Sequence, residues 1–366
     1  MSAADQSFDL LAAEGRRSQR HRLQLLALWL VLVFGCLMSV CTGAVGIAPM
    51  QVLGVLLHDL FGIDLGISFG RREETVLMAI RLPRLALGLI VGSALGVAGA
   101  VLQGLFRNPL ADPALIGVSS GAAVGAVLMI VVGAPLILLL PPWLGGYLIP
   151  FAAFTGGLVV TMLVYALAQR QGGTDVSILL LAGVAMNAIA AAVVGVMIFV
   201  STDQELRDLN FWLLGSLAGA TWDKVVIVLP GVALAVIGLM TLTRFLNAIL
   251  LGEEAAQHLG LRVEAAKRTA VLLVALATGG AVAMSGVIAF VGLMVPHMVR
   301  MAFGPDHRMV LPASAIMGAF VVVAADLMAR TLAVPADLPI GVVMSLTGGP
   351  FFIWLLCRKR GLSGWT

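Results

Sequence analysis

Charge is what this chain has least of. Asp, Glu, Lys and Arg make up 11% of its 366 residues, and aromatic residues only 6%. A soluble fold of this length needs more charge to cover its surface. The net charge of +3 is too small to imply a nucleic-acid partner. Among the charged residues lysine is scarcest: the chain has Lys224, Lys267 and Lys359 and no others. None of them completes the pattern GxxxxGK[ST], so no phosphate-cradling loop is present and any nucleotide hydrolysis belongs to another chain. The 3 cysteines, Cys36, Cys41 and Cys357, form neither CxxC nor CxxCH, which argues against a disulfide framework and against covalent heme attachment. No Ser/His/Asp set and no paired carboxylates suggest an enzyme. Asp5, Asp9 and Glu14 precede the first apolar run, so a cleaved signal peptide is not expected.

What is present is oil. Hydrophobic residues make up 60% of the chain and mean hydropathy is +1.06. A bilayer explains this at ~20 apolar residues per helix. The 42 glycines fit membrane helices that approach closely through small residues. The expected class is an all-α membrane protein of about ten spans, at roughly 23–43, 82–105, 114–140, 144–168, 177–200, 224–243, 268–285, 287–303, 309–330 and 339–357. The pair around Gly286 also reads as one long helix. A polar tail, 1–22, precedes the 23–358 membrane domain and a short tail, 359–366, follows it.

Arginine and lysine in the connections set orientation. With the amino terminus inside, the inner side holds 15 of the 22: Arg16, Arg17, Arg20, Arg22, Arg107, Arg170, Arg244, Arg262, Lys267, Arg268, Arg300, Arg308, Arg358, Lys359 and Arg360. The outer side holds the other 7: Arg71, Arg72, Arg81, Arg84, Arg207, Lys224 and Arg330. Both termini are therefore expected in the cytoplasm. The chain also resembles itself. Gly92, Gly99 and Pro109 match Gly279, Gly286 and Pro296 at one constant offset; Pro150, Gly156 and Asp175 match Pro312, Gly318 and Asp337 at another. The second and seventh spans run in opposite senses, so the copies are inverted, as in transporters whose pathway lies at the repeat interface.

One polar stretch, Leu251–Arg268, interrupts the second half. Glu253 to Leu259 favours a short helix with Ala255, Ala256 and Leu259 on one face, and Gly260 is a plausible stop. Val263 to Lys267 suggests a second short helix. Glu253, Glu254 and Glu264 would be repelled by anionic headgroups, which favours partner docking over lying on lipid. Arg81 and Arg84 share a helix face at the outer mouth of the second span; snorkelling to headgroups and presenting a cationic patch to an acidic partner both remain open. Asn108 and Pro109, with Pro113, make a stiff inner turn that is either a plain connector or a gate. Arg207, followed by Phe211 and Trp212, either meets a carboxylate-bearing substrate at the pore mouth or pairs with Asp203 or Asp208. Asp326 is the intramembrane acid that needs a partner; Arg330, four residues on, is the economical one. His297 is read as a structural hydrogen bonder rather than a metal ligand, and no metal site or permanently bound cofactor is expected.

Three stretches carry a resemblance: RLPRLALGLIVGSALGVAGAVLQGLFRNPLADPALIGVSSGAAVG (81–125), SGVIAFVGLMVPHMVRMAFGPDHR (285–308) and AADLMART…DLPIGVVMSLTGGPFFIWLL (324–356). They resemble the FecCD-type permeases of iron-siderophore, cobalamin and heme ABC importers, and FRNPLADPALIGVSSGAA with LRDLNFWLLGSLAGA looks most like the heme permeases. The resemblance implies a type II importer fold, a homodimer in the bacterial inner membrane, two ATPase subunits that bind ATP and a periplasmic binding protein. Heme is then cargo, with cobalamin or a ferric siderophore as the alternative. Glu254-Ala255-Ala256-Gln257-His258-Leu259-Gly260 matches the EAA-x-x-x-G loop that grips the ATPases, making 253–267 the coupling helices. By the same resemblance, Arg81, Arg84 and Arg330 meet glutamates of the binding protein, and Arg207 lies near the mouth of the heme passage. An ion-coupled secondary transporter is a competing class. It is disfavoured by the rigid polar docking module and by the single buried acid.

Overall fold

The computed structural model describes residues 3–133, 141–170, 173–333 and 336–360. Nearly every apolar run is helical, because a backbone removed from water must satisfy its own N–H and C=O groups. The helices are α1 (Ala3–Cys41), α2 (Pro49–Phe61), α3 (Arg71–Leu105), α4 (Val118–Val131), α5 (Leu148–Leu167), α6 (Val176–Val200) and α7 (Asp203–Leu214). They continue with α8 (Trp222–Thr241), α9 (Thr243–Ile249), α10 (Glu253–His258), α11 (Val263–Ser285), α12 (Val291–Phe303), α13 (His307–Leu332) and α14 (Ile340–Arg360). Two-residue strands β1 (Gln169–Arg170) and β2 (Gly173–Thr174) form a small antiparallel hairpin between α5 and α6.

Among the described residues, 7 helices are long and apolar enough to cross a membrane, and α4, α12 and the Ile340–Leu355 part of α14 are shorter apolar ones. Together they coincide in order with the ten expected spans. Residues 134–140 of the third expected span lie outside the described residues, as do 361–366 of the C-terminal tail. Gly286, at φ 69, ends α11 and α12 starts only at Val291, so the pair around it is two helices.

The helix of the first span also runs back through the polar tail, over Ala3–Cys41, with its apolar part at Gln19–Cys41. Two expectations about boundaries are corrected. The second span starts earlier, at Arg71, and passes through a π stretch, Val76–Arg81. Pro83 supplies no N–H and its ring crowds the preceding turn, so the helix widens there. The Met78 carbonyl then accepts from Trp222 Nε1 at 2.8 Å. Finally, Val263 to Lys267 is not a second short helix but the opening of α11.

α3 is the central helix, packed on α13, α12, α11 and α8. Its contact with α13 is backbone on backbone: a Cβ at Gly92 would sit 2.3 Å from the Gly318 carbonyl oxygen, and one at Gly318 would sit 2.2 Å from that of Gly92. α4 and α5 meet the same way through Gly121 and Gly156, each Cβ position lying within 2.4 Å of the other's carbonyl oxygen. The inverted repeat makes a testable demand on these contacts. If α3 corresponds to α11 and α5 to α13, the α3–α13 contact requires an α11–α5 contact, and both are made. The α3–α12 contact likewise has its counterpart in α11–α4.

Candidate coupling and docking sites

The 251–268 island is a short rigid helix on a tether. α10 starts after Gly252 (φ 111), and two acids, Glu253 and Glu254, occupy its first turn, where the helix dipole favours them. It stops in a Schellman closure: Leu261 N–H donates to the Ala256 carbonyl at 3.2 Å and Gly260 N–H to that of Gln257 at 2.8 Å, with Gly260 at φ 80. Ala256 is fully buried and Ala255 half-buried, whereas Leu259 is 65% exposed. The expected common face of these three is therefore corrected. Leu259 closes the helix, where the chain turns, and points away with Leu251, which is 74% exposed. Glu254 and His258 are exposed beside them.

Sequence reasoning missed what holds this helix down. Lys267, 3% exposed, donates to Glu253 Oε2 at 2.7 Å, to Glu264 Oε1 at 3.1 Å and to the Thr174 carbonyl at 3.3 Å. Glu264 Oε2 accepts from Thr174 N–H at 2.9 Å and from its hydroxyl at 2.8 Å. One ammonium thus joins α10, the foot of α11 and the hairpin that leads into α6. A buried ammonium is tolerable only when paired in this way. The signal available in the sequence was weak: a rare lysine at the start of an apolar span, three residues after a glutamate.

The Asn108–Pro109 turn lies at the same end. Asn108 Oδ1 accepts from Leu110 N–H at 2.9 Å, and Arg107 adopts the left-handed conformation at φ 49. Asp112 caps the next turn through Ala114 N–H at 2.8 Å; desolvation pushes its carboxyl above the usual range, against that bond. Pro109 shares a pocket of 230 Å³ with Leu250, the residue from which the coupling loop departs.

At the opposite end the three arginines turn inward. Arg84 Nε donates to Asp326 Oδ1 at 2.8 Å and Nη1 to Asp337 Oδ2 at 2.7 Å. Arg330 Nε stands 3.6 Å from Asp326 Oδ2. The expected Asp326–Arg330 pair therefore exists, but Arg84, 242 positions away in the chain, is the nearer partner. Arg330 also donates to the Ser39 hydroxyl at 2.9 Å and the Thr42 carbonyl at 2.9 Å. Arg81 donates to the Val40 and Val45 carbonyls. Arg81 and Arg84 are only 6% and 9% exposed. An open cationic patch is not what these residues form here: they fasten α1, α3, α13 and the 336–339 segment together. Gly43 tolerates the crowding because a Cβ there would lie 2.7 Å from Arg81 Nη2.

α7 opens with a capping box between Thr202 and Glu205. Arg207, exposed, donates to Gln204 Oε1 at 2.8 Å; the expected pairing with Asp203 or Asp208 is not what it makes. Gln204 takes its place, donating to Asp208 Oδ1 at 3.4 Å. Phe211 is 53% exposed, while Trp212 packs against the cluster that holds Val282 and Ala283. His297 stacks near Phe351 and Phe352, with ring centroids 6.5 Å away from each.

This arrangement of about ten apolar helices as an inverted pair, with a short polar helix tethered at one end, defines a type II ABC importer permease. The chain belongs to the FecCD transport family, which it matches over residues 31–358. It is 43% identical over 321 residues to the hemin transport system permease protein HmuU of Yersinia pestis, covering 87% of this chain and 92% of that one. It is 42% identical over 292 residues to the cobalamin import system permease protein BtuC of Halobacterium salinarum, covering 79% and 76%. A solved structure described as an inward-facing conformation of a metal-chelate type ABC transporter superposes with a TM-score of 0.79 at 29% identity, covering 92% of this chain and 99% of that one.

Proposed function

We propose that the chain is the permease of an importer carrying heme from periplasm to cytoplasm across the bacterial inner membrane. It works as a homodimer with both termini cytoplasmic. Two ATPase subunits bind and hydrolyse ATP, and a periplasmic binding protein delivers the cargo. The observation that carries this reading is α10, a rigid helix that displays Leu251, Glu254, His258 and Leu259 outward while Glu253 is tied to α11. Its geometry suits a handle: apolar anchors for a soluble partner, on a lever fixed to the membrane helices. The Asn108–Pro109 turn is read as the inner gate. For Arg84 to meet a carboxylate of the binding protein, Asp337 has to yield its place; Arg81 and Arg330 would likewise exchange carbonyl partners. Heme is favoured by the 43% identity to a hemin permease.

A second reading, cobalamin or a ferric siderophore as cargo, rests on the 42% identity to a cobalamin permease. The permease assembled with its partners in vesicles should accumulate heme and leave cobalamin and a ferric hydroxamate outside. Uptake of either of the others at a rate equal to or above that of heme rejects heme as the cargo. Arg207→Ala tests the pathway. It should slow initial heme uptake about threefold, the size of one exposed charge contact. Chromatography of the assembly should remain unchanged, and an unaltered uptake rate would remove Arg207 from the path.

A further inference from the structure

The 230 Å³ pocket beside the Asn108–Pro109 turn holds groups that the transport reading does not use. Arg107, Arg300 and His307 line it, and among the described residues no carboxylate does. Arg300 Nη2 donates to the Ala100 carbonyl at 3.0 Å and Nη1 to Gln103 Oε1. A guanidinium has five N–H donors, so three remain. Arg107 is exposed, and its guanidinium makes no hydrogen bond or ion pair among the described residues.

His307 makes the site specific. Asn247 Nδ2 donates to Asp306 Oδ1 at 2.8 Å, which turns Asn247 Oδ1 toward His307. That oxygen lies 2.9 Å from His307 Nδ1 and accepts from the backbone N–H of His307 at 2.9 Å. An amide oxygen only accepts, so Nδ1 carries the ring hydrogen. Nε2 of the neutral ring is then an acceptor, and it is buried without a partner. It lies against Gly104, where a Cβ would be 2.5 Å away. A buried acceptor left unmatched costs free energy that a ligand hydroxyl recovers.

We propose that this pocket binds a phosphate group that carries a hydroxyl, with the oxyanion on Arg107 and Arg300 and the hydroxyl donating to His307 Nε2. A glycerol-phosphate lipid headgroup and free inorganic phosphate share this chemistry. The site sits at the end of α3, where a headgroup would lie, and its wall includes Leu250 at the root of the coupling loop. An occupant would therefore tie the 106–113 turn to that root. The inference does not depend on which cargo the protein carries.

The test uses the purified full chain in neutral detergent, with thermal unfolding read against added phosphatidylglycerol, phosphatidylcholine or inorganic phosphate. Phosphatidylglycerol should raise the midpoint, and Arg107→Gln should raise the concentration giving half that shift about tenfold, the loss of one charge-assisted hydrogen bond. A shift with inorganic phosphate that Arg107→Gln weakens equally would support the site with free phosphate as its occupant. Equal shifts from phosphatidylglycerol in both proteins overturn the proposal. So does a phosphatidylcholine shift as large as that of phosphatidylglycerol, or no shift at all. Native mass spectrometry of Arg107→Gln provides a second readout: it should retain fewer phosphatidylglycerol molecules than the parent, and an equal number overturns the assignment.

Discussion

Lys267→Met should cut ATP-driven uptake about tenfold while ATP hydrolysis by the assembled complex continues, since a bond to a charged group contributes ~1.5–3 kcal/mol and ~1.4 kcal/mol is tenfold. The methionine fills the same buried channel, so little packing is lost. What disappears is the ammonium that bonds Glu253, Glu264 and Thr174 together. Glu264 keeps its two bonds from Thr174. Among the described residues Glu253 then has no hydrogen bond or ion pair on α11, and α10 is left with the buried Ala256. Glu253 is partly exposed and returns to water while Glu264 stays bonded to Thr174, so the fold should survive. The ratio of ATP hydrolysed to substrate moved separates a coupling role from a structural one. It should rise in Lys267→Met and fall back in Lys267→Arg, which keeps a cation at the joint. A methionine variant with an unchanged ratio would show that force does not pass through this tether. Loss of complex assembly in both variants would show instead that Lys267 only maintains the fold.

Local chemistry was legible in the sequence and long-range pairing was not. The stop at Gly260 was readable because a short helix followed by glycine has few other ways to end. The ten spans were readable because apolar length is a one-dimensional signal. The break at Gly286 was ambiguous in the sequence; the structure resolves it through a left-handed φ of 69. Leu259 was misplaced because six residues of helix are too few for periodicity to decide which side is covered. Asp326 was correctly marked as needing a cation, yet its nearest one, Arg84, comes from a helix 242 residues earlier, and proximity in sequence favoured Arg330. Lys267 reads as a connection charge because the apolar pattern starts α11 only at about residue 268, whereas the helix begins at Val263. In each miss the deciding partner came from another element, which no local pattern reports.

Gly318→Val should abolish most folded protein, lowering the monodisperse yield of a fluorescent fusion more than tenfold. A Cβ at this position would lie 2.2 Å from the Gly92 carbonyl oxygen and 3.0 Å from its carbon. Carbon and oxygen atoms in contact stand ~3.3–3.6 Å apart, so α3 and α13 would have to separate by about 1 Å. No side chain can step aside, because the obstacle is backbone. Overpacking a core costs ~1–3 kcal/mol where neighbours can adjust, and here they cannot. Gly96 meets the Ser314 carbonyl oxygen on the same seam, with a Cβ position 2.2 Å from it, so the strain spreads along the contact. It also reaches the arginine cluster: parting α3 from α13 draws Arg84 away from Asp326, and a buried pair broken on one side costs ~3–5 kcal/mol. Gly195→Ala is the matching control. Nothing lies within 4 Å of a Cβ there, and alanine is the better helix former, so yield should hold or rise. Wild-type yield from Gly318→Val would mean that these helices do not meet through their backbones.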